Sequence, residues 1–282
     1  SVAEHLRELG VHTRAERVVS SAQAGAALLA QHVPAGSKVL ITGTEALADC
    51  VRAVGRETVR KEEEGPVAVI QGFDPKIGWE DLAEAAYTLA NPDILWIATN
   101  TDQSIPKERG QAPGNGTLVA AVASATRRTP LVAGKPEAPI FHTAAKAVNS
   151  SRPVIVGDRL DTDILGANNA KMDGALVLTG VQTYQDVIEA VPTQRPTYIL
   201  RTLEDFFAPY PEIEVLYEGY EVTATGPTWQ ARVRGENLSL TGPEVEDTEA
   251  FAGSESEAEA WRVACAAWWA ANPEQGARPN IQ

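Results

Sequence analysis

The chain has 282 residues and is acidic, with a formal net charge of −14. This charge makes nucleic acid an unexpected partner, because phosphate backbones are bound by clustered lysine and arginine. No run approaches the roughly 18 apolar residues of a membrane span, and no signal-like start is visible, so we expect no membrane association.

The length allows two or three modules with sizeable cores. The two cysteines, Cys50 and Cys265, are far apart and lie in no Cys-x-x-Cys or Cys/His cluster. This spacing argues against a zinc site and against a disulfide framework. A reducing cytoplasm is therefore the expected compartment.

Helices and strands alternate along the first two hundred residues, which is typical of an α/β fold with a parallel sheet. The helix at 79–89, for example, places Leu82, Ala85 and Leu89 on one apolar face. The predicted helices cover residues 2–9, 22–31, 45–54, 79–89, 117–126, 137–148, 165–170, 184–190 and 203–207. The predicted strands cover residues 18–19, 38–42, 67–71, 94–98, 131–132, 153–156, 175–178 and 198–199.

Two further stretches complete the pattern. Residues 99–116 form a long polar loop, and loops of this length inside compact domains are often functional. The composition changes after Pro209, where 215–224 and 229–240 alternate like strands and 260–271 reads as a tryptophan-rich helix. We therefore expect a small α+β extension at 209–282.

Carboxylates cluster directly after the strand predicted at 153–156, which is β-branched and reads as buried. The following sequence, from Gly157 to Ile164, contains Asp158, Asp161 and Asp163. Open α/β sheets bind ligands at the carboxyl ends of their strands, and Mg²⁺ needs oxygen ligands. A metal site is the favoured interpretation, and an acidic solvated turn is the alternative.

Five motifs resemble one family, the haloacid-dehalogenase (HAD) phosphatases, in the NagD-like and 4-nitrophenylphosphatase-like branch. Their order and spacing agree with that branch over about residues 1–205, and within it the chain resembles the actinobacterial glycerol-3-phosphate phosphatase type. The motifs are Gly157-Asp158-x-x-x-Thr162-Asp163-Ile164, Gly134-Lys135-Pro136, Ala98-Thr99-Asn100-x-Asp102, Pro113-Gly114-x-Gly116 and Val177-Leu178-Thr179-Gly180-Val181.

The resemblance implies a Rossmann-like parallel-sheet core with a large α/β cap inserted, followed by the small α+β extension. We assign residues 1–36 and 130–208 to the HAD core, 37–129 to the cap and 209–282 to the extension. Large caps in this branch often mediate dimers, so a homodimer is a further expectation.

The resemblance also implies roles for individual residues. Asp158 is the Mg²⁺ ligand, and Asp163 orients the metal waters or the lysine. Lys135, between a glycine and a proline, stabilises the charge of the bound phosphate. Asp161 is not a ligand in this pattern, and we expect it to be exposed.

Substrate recognition is implied for the 99–116 loop, with candidate contacts at Asn100, Ile105, Lys107 and Arg109. Some relatives carry a His-Pro pair near the position of Ile105-Pro106. This difference argues against a pyridoxal-phosphate substrate.

The expected function is Mg²⁺-dependent hydrolysis of a small phosphorylated metabolite through an aspartyl-phosphate, with glycerol 3-phosphate as the first candidate substrate. Phosphoglycolate, 4-nitrophenyl phosphate or a nucleoside monophosphate are alternatives. The family's Asp-x-Asp nucleophile motif and its Thr/Ser-Asn-Asn phosphate loop do not occur in these residues. By the resemblance, Ser1 corresponds to a position just past the second of these two motifs. We expect the upstream segment to exist in the natural protein. A non-catalytic HAD scaffold that binds a phosphometabolite is the other hypothesis.

Overall fold

The computed structural model describes residues 2–281. It contains two compact units, the first ending at Ser151 and the second beginning at Arg152. Within residues 2–281, no helix combines the length and the apolar character that crossing a bilayer requires. Each unit is described by itself.

The first unit contains six helices and seven strands in its described part. The helices are α1 (Val2–Glu8), α2 (Ser21–His32), α3 (Glu45–Ala53), α4 (Trp79–Leu89), α5 (Asn115–Thr126) and α6 (Ala138–Ala147). The strands are β1 (Lys38–Thr42), β2 (Glu57–Val59), β3 (Ala68–Gln71), β4 (Leu95–Ala98), β5 (Ser104–Lys107), β6 (Gly110–Pro113) and β7 (Leu131–Val132).

Five of these strands form a parallel sheet in the order β2-β1-β3-β4-β7. Its strands are apolar on both faces because helices cover both. Val39 and Ile41 pack with α2 and α3 on one face, whereas Leu40 and Val69 pack with α4 and α5 on the other. The result is a three-layer α/β/α arrangement.

The second unit contains four α-helices and eight strands in its described part, besides short π-helical and 3-10 turns. The helices are α7 (Leu165–Ala170), α8 (Tyr184–Ile188), α9 (Thr248–Phe251) and α10 (Glu255–Ala271). The strands are β8 (Val154–Gly157), β9 (Asp173–Val177), β10 (Tyr198–Leu200), β11 (Glu214–Glu218), β12 (Glu221–Thr225), β13 (Gln230–Arg234), β14 (Asn237–Thr241) and β15 (Asn280–Ile281).

The strands of the second unit form two sheets that share one hydrophobic core. A parallel sheet has the order β10-β9-β8, and the other has the order β11-β12-β13-β14-β15, antiparallel except for its last pair. One buried cluster joins Leu176 and Ile188 to Val233 and Trp268. Since Trp268 lies on α10, this helix provides side chains to the core of both sheets.

Elements that the sequence assigns to different domains pack together within each unit. Helix α2, which lies within the 1–36 core segment, packs in one cluster with β1 and α3 of the predicted cap. Strand β7, predicted to begin the second core segment, pairs with β4 of the cap sheet. Residues 209–282 share their core with residues 152–208 instead of forming a separate hydrophobic cluster. Each of these contacts forms for the same physical reason: the element buries its apolar residues against the element with which it packs.

Most predicted elements are present, and the mixed α/β class is confirmed. The predicted strand at 18–19 is irregular, and the polar loop at 99–116 contains the β5–β6 hairpin. Strand β8 is present, but Val154 and Val156 are 40% and 42% exposed, so the prediction of a buried strand was wrong. Within the described residues β8 pairs only with β9, which leaves its other edge open.

Candidate active-site residues

Asp158 directly follows β8, as predicted, and its side chain is half-buried. The residue packs against Gly180, in the loop after β9. A Cβ built on Gly180 would overlap the Cβ and the carboxylate of Asp158. Position 180 must therefore remain without a side chain if the carboxylate is to keep this place. Gly180 belongs to the motif at 177–181, but the sequence alone did not predict this contact with Asp158.

Asp163 is buried, with 7% of its surface exposed. A short π-helical turn, Leu160–Ile164, places it there, because the N–H groups of Asp163 and Ile164 both donate to the carbonyl oxygen of Arg159 at 3.1 Å. The carboxylate of Asp163 in turn accepts the backbone N–H of Arg159 at 3.2 Å. Asp163 thus fixes the loop that begins with Asp158, which suits an orienting role.

Asp161 is exposed, as expected, with 56% of its side chain accessible. The guanidinium of Arg159 donates two hydrogen bonds to its carboxylate, at 3.0 and 2.7 Å. These hydrogen bonds lower the pKa of Asp161, although partial burial opposes them. The pairing occupies both oxygens of Asp161, in agreement with its exclusion from the ligand set.

Lys135 belongs to the first unit and lies in the loop between β7 and α6. Its side chain is exposed, the preceding Gly134 is buried, and the Lys135–Pro136 peptide bond is cis. The loop leaves the carboxyl end of a parallel strand, the edge where such sheets bind ligands. Lys135 therefore lies at the carboxyl edge of the parallel sheet of its own unit, and its role stays a prediction.

Asn100, Ile105 and Arg109 lie on or beside the β5–β6 hairpin. The carbonyl oxygen of Asn100 accepts the side-chain amide of Asn115 at 2.7 Å, and Asn115 is 1% exposed. Ile105 is half-buried on β5, whereas Arg109 is exposed at the turn. The structure thus joins Asn100 to the base of the hairpin through Asn115, a contact that sequence reasoning missed, and places Arg109 at the opposite end of it.

The donor set for a divalent cation is small within each unit. Among residues 2–281, no group of three or more His, Cys, Asp or Glu side chains is arranged to hold a metal ion. Asp158 nevertheless has the right chemistry, because a half-buried carboxylate at a strand end is a suitable oxygen ligand for Mg²⁺.

Comparison with known proteins identifies the family. A family model described as HAD-hydrolase-like matches residues 132–206, and one described as haloacid dehalogenase-like hydrolase matches residues 1–57. The D-glycerol 3-phosphate phosphatase of Mycobacterium tuberculosis is 44% identical over 282 residues, covering 99% of this chain and 76% of that protein. The acid sugar phosphatase of Staphylococcus saprophyticus is 36% identical over 207 residues, covering 72% of this chain and 77% of that protein.

Solved structures give the same result. The crystal structure of glycerol phosphate phosphatase from M. tuberculosis in complex with magnesium has a TM-score of 0.80 at 39% identity, covering 99% of this chain and 78% of that chain. The p-nitrophenyl phosphatase from Archaeoglobus fulgidus has a TM-score of 0.64 at 30% identity, covering 73% of this chain and 79% of that chain.

The chain belongs to the haloacid dehalogenase-like hydrolases. Within that family its relatives are phosphatases, so the family and the enzyme class predicted from the five motifs are confirmed. The roles of the individual site residues stay predictions.

Proposed function

We propose that this protein is a Mg²⁺-dependent phosphomonoesterase of a small phosphorylated metabolite, with glycerol 3-phosphate as its substrate. The observation that carries the proposal is the placement of Asp158 at the end of β8, with the buried Asp163 fixing the loop behind it. The names of the M. tuberculosis relatives support the substrate and the metal.

Each residue has a distinct role in this proposal. Asp158 holds the metal, and Asp163 keeps the Asp158 loop in place through the N–H of Arg159. The bound Mg²⁺ would neutralise negative charge on the phosphoryl oxygens. Lys135 is assigned to charge balance of a bound phosphate, as a compact ammonium suits this anion. The metal would favour the transition state, in which negative charge is spread over the phosphoryl oxygens.

The family mechanism needs an aspartate that attacks phosphorus and forms an aspartyl-phosphate. The bond from phosphorus to the leaving oxygen breaks, a second acidic group protonates that oxygen, and water then cleaves the acyl phosphate. The 282 residues contain no Asp-x-Asp at the end of a strand, so we assign the nucleophile to none of them. Our proposal covers the metal-binding and charge-stabilising residues.

Recognition of the alcohol part of the substrate is assigned to Asn100, Ile105 and Arg109. A small polyol needs few contacts, and a half-buried Ile105 provides an apolar wall while Asn100 provides an amide.

Phosphoglycolate, 4-nitrophenyl phosphate and nucleoside monophosphates are alternative substrates of the same chemistry. We also propose a cytoplasmic location, a homodimer and a core-and-cap division of residues 1–208.

The decisive experiment uses the natural gene product, isolated from its source. Its intact mass is compared with the 30.1 kDa of the 282 residues, and phosphate release from glycerol 3-phosphate and 4-nitrophenyl phosphate is measured with and without Mg²⁺. We expect Mg²⁺-dependent turnover, with glycerol 3-phosphate preferred. Absence of turnover on both substrates would overturn the proposal and favour the non-catalytic scaffold.

The matched variants are Asp158→Asn and Asp161→Asn. Both remove one carboxylate from the same loop, but only Asp158 is assigned to the metal. Asp158→Asn should lower activity by at least about 100-fold. Asp161→Asn should leave activity nearly unchanged. Equal losses would show that the loop's overall charge matters and that Asp158 has no special role.

A further inference from the structure

The parallel sheet of the first unit has a topological switch point between β1 and β3. The chain runs outward from β1 to β2, returns past β1 to β3, and continues to β4 and β7. Helix α3, after β1, packs on the face of Ile41, whereas α4, after β3, packs on the face of Leu40. The loops after β1 and β3 therefore separate and open a crevice, where open α/β sheets bind ligands.

A cleft of about 650 Å³ occupies this position. It is lined by Gly43 after β1, Arg60 after β2 and Asp74 after β3, and by the first turn of α4 from Gly78 onward. The volume falls within the roughly 300–1,000 Å³ of typical small-molecule sites. The candidate active-site residues are not part of its lining.

Two of the three basic residues of the cleft, Arg60 and Lys61, are paired with carboxylates, which disfavours an anionic ligand beside them. Arg60 donates to the carbonyl oxygen of Gly43 at 2.7 Å and pairs with the carboxylate of Glu45 at 3.1 Å. Lys61 pairs with Glu84 at 3.3 Å. An incoming phosphate would gain less from Arg60 and Lys61 than from unpaired cations, because Glu45 and Glu84 already balance their charges.

The N-terminus of α4 is likewise occupied. The carboxylate of Asp81 accepts the N–H of Gly78 at 2.8 Å, so a negative charge already sits where a bound anion would lie. Three basic and five acidic side chains line the cleft, which gives the lining a formal charge of −2. Such a lining raises the local concentration of cations.

Trp79 provides an aromatic surface in this acidic setting. It is the first residue of α4, lines the cleft and is 76% exposed. Its neighbour Glu80 lines the same cleft and is also exposed. The indole face is the best side-chain partner for a cation, and a nearby carboxylate adds direct attraction.

Polar groups without protein partners lie beside the switch point. Thr42 and Gln71, the last residues of β1 and β3, are paired in register and are 1% and 0% exposed. Within residues 2–281, the Thr42 hydroxyl and both amide atoms of Gln71 have no hydrogen-bond partner. They follow Leu40 and Val69 at the strand period of two, on the face that α4 covers. Buried polar atoms of this kind are normally satisfied by water or a ligand.

We propose that this cleft, the switch-point cleft, binds a small organic cation, with the Trp79 indole against the cationic group and Glu80 and Asp74 as counter-charges. The ligand class follows from the exposed indole, the net negative lining and the occupied anion positions. The first unit would then contain a binding site whose lining does not include the candidate phosphatase residues.

Choline is the probe, titrated into the full 282-residue chain and followed by calorimetry and by NMR of the tryptophan indole N–H signals. Its neutral isostere 3,3-dimethylbutan-1-ol and inorganic phosphate are the comparison ligands. We expect saturable choline binding that perturbs the Trp79 signal, which is assigned by its loss in Trp79→Phe. Tighter binding of phosphate, or equal binding of the neutral isostere, would overturn the proposal.

The variants separate the cleft from the rest of α4. Trp79→Ala should weaken choline binding by about threefold to thirtyfold, while Trp79→Phe should retain part of it. Tyr87→Ala, which removes another exposed aromatic residue from the same helix, should leave binding unchanged. An unchanged affinity in Trp79→Ala, or no saturable binding at all, would refute the site. No turnover is measured, so the result is independent of the phosphatase activity.

Discussion

Gly157 and Asp163 are packed directly against each other, although they are six positions apart along the chain. A Cβ built on Gly157 would overlap the Cβ and the carboxyl group of Asp163. The end of β8 and the π-helical turn after it therefore form one closely packed unit. The buried carboxylate at 163 depends on the absence of a side chain at 157.

Gly157→Ala should destabilise the protein by about 1–3 kcal/mol, because the added methyl group must displace a buried side chain. Urea unfolding followed by circular dichroism measures this change. Gly78→Ala is the control, since a Cβ there meets only Asp81, at an ordinary 3.9 Å. Its cost should stay below about 1 kcal/mol. Equal destabilisation by the two substitutions would contradict the packing argument.

Gly180→Ala should act on the metal more than on stability. The added methyl group would displace the carboxylate of Asp158, which is half-buried and has room to move towards solvent. In the natural gene product we expect the Mg²⁺ concentration for half-maximal activity to rise by about 10–100-fold. Thermal unfolding of the same variant should change little. An unchanged Mg²⁺ requirement would argue that Asp158 does not bind the metal.

The pKa of Asp161 should depend on Arg159. The hydrogen bonds from its guanidinium hold the pKa of the carboxyl below its usual value of 3.8. The charged pair is therefore complete above that pH and is lost as the pH falls through the lowered pKa. In Arg159→Ala the midpoint of Asp161, followed by NMR of its carboxyl carbon, should move upward. Because the pair is exposed, the unfolding free energy should hardly change, and a large loss of stability would be unexpected.

Glu259 should make part of the stability pH-dependent. Burial raises the pKa of this carboxyl, but hydrogen bonds from the N–H groups of Thr228 and Trp229 and from the Thr228 hydroxyl together lower it below 4.5. The folded pKa is depressed, so the stabilisation is present above about pH 4.5 and is lost as the pH falls through the folded pKa.

Glu259→Gln should therefore lower the free energy of unfolding by about 1–3 kcal/mol at pH 7, because a charged acceptor of three hydrogen bonds is lost. The difference from the natural sequence should shrink in urea titrations carried out below pH 4. Glu236→Gln, at an exposed position, is the control and should change stability by less than about 0.5 kcal/mol. A difference that stays constant with pH would contradict the assignment.

Local pattern was enough to predict the parallel strands and the loop of Asp158. The strand at Lys38–Thr42 and the acidic loop after β8 could be predicted, because the residues within each segment determine its burial and chemistry. The close packing of Gly180 against Asp158 could not be predicted from the sequence, because the two residues lie in loops that follow two different strands. The β5–β6 hairpin was missed for another reason: Ser104–Lys107 contains a proline and lacks clear alternation.

Helix α10 leads to the last prediction. Trp269 donates to the carbonyl oxygen of Ile188 at 3.2 Å, and Trp268 lies in the core that the extension shares with residues 152–208. A chain ending at Ala208 would expose Leu176 and its neighbours. We therefore expect the NMR signals of residues 152–208 to collapse to unfolded positions in that fragment, while signals of the first unit match those of a 1–151 fragment. Dispersed, native signals from 152–208 would show that the extension is dispensable for folding.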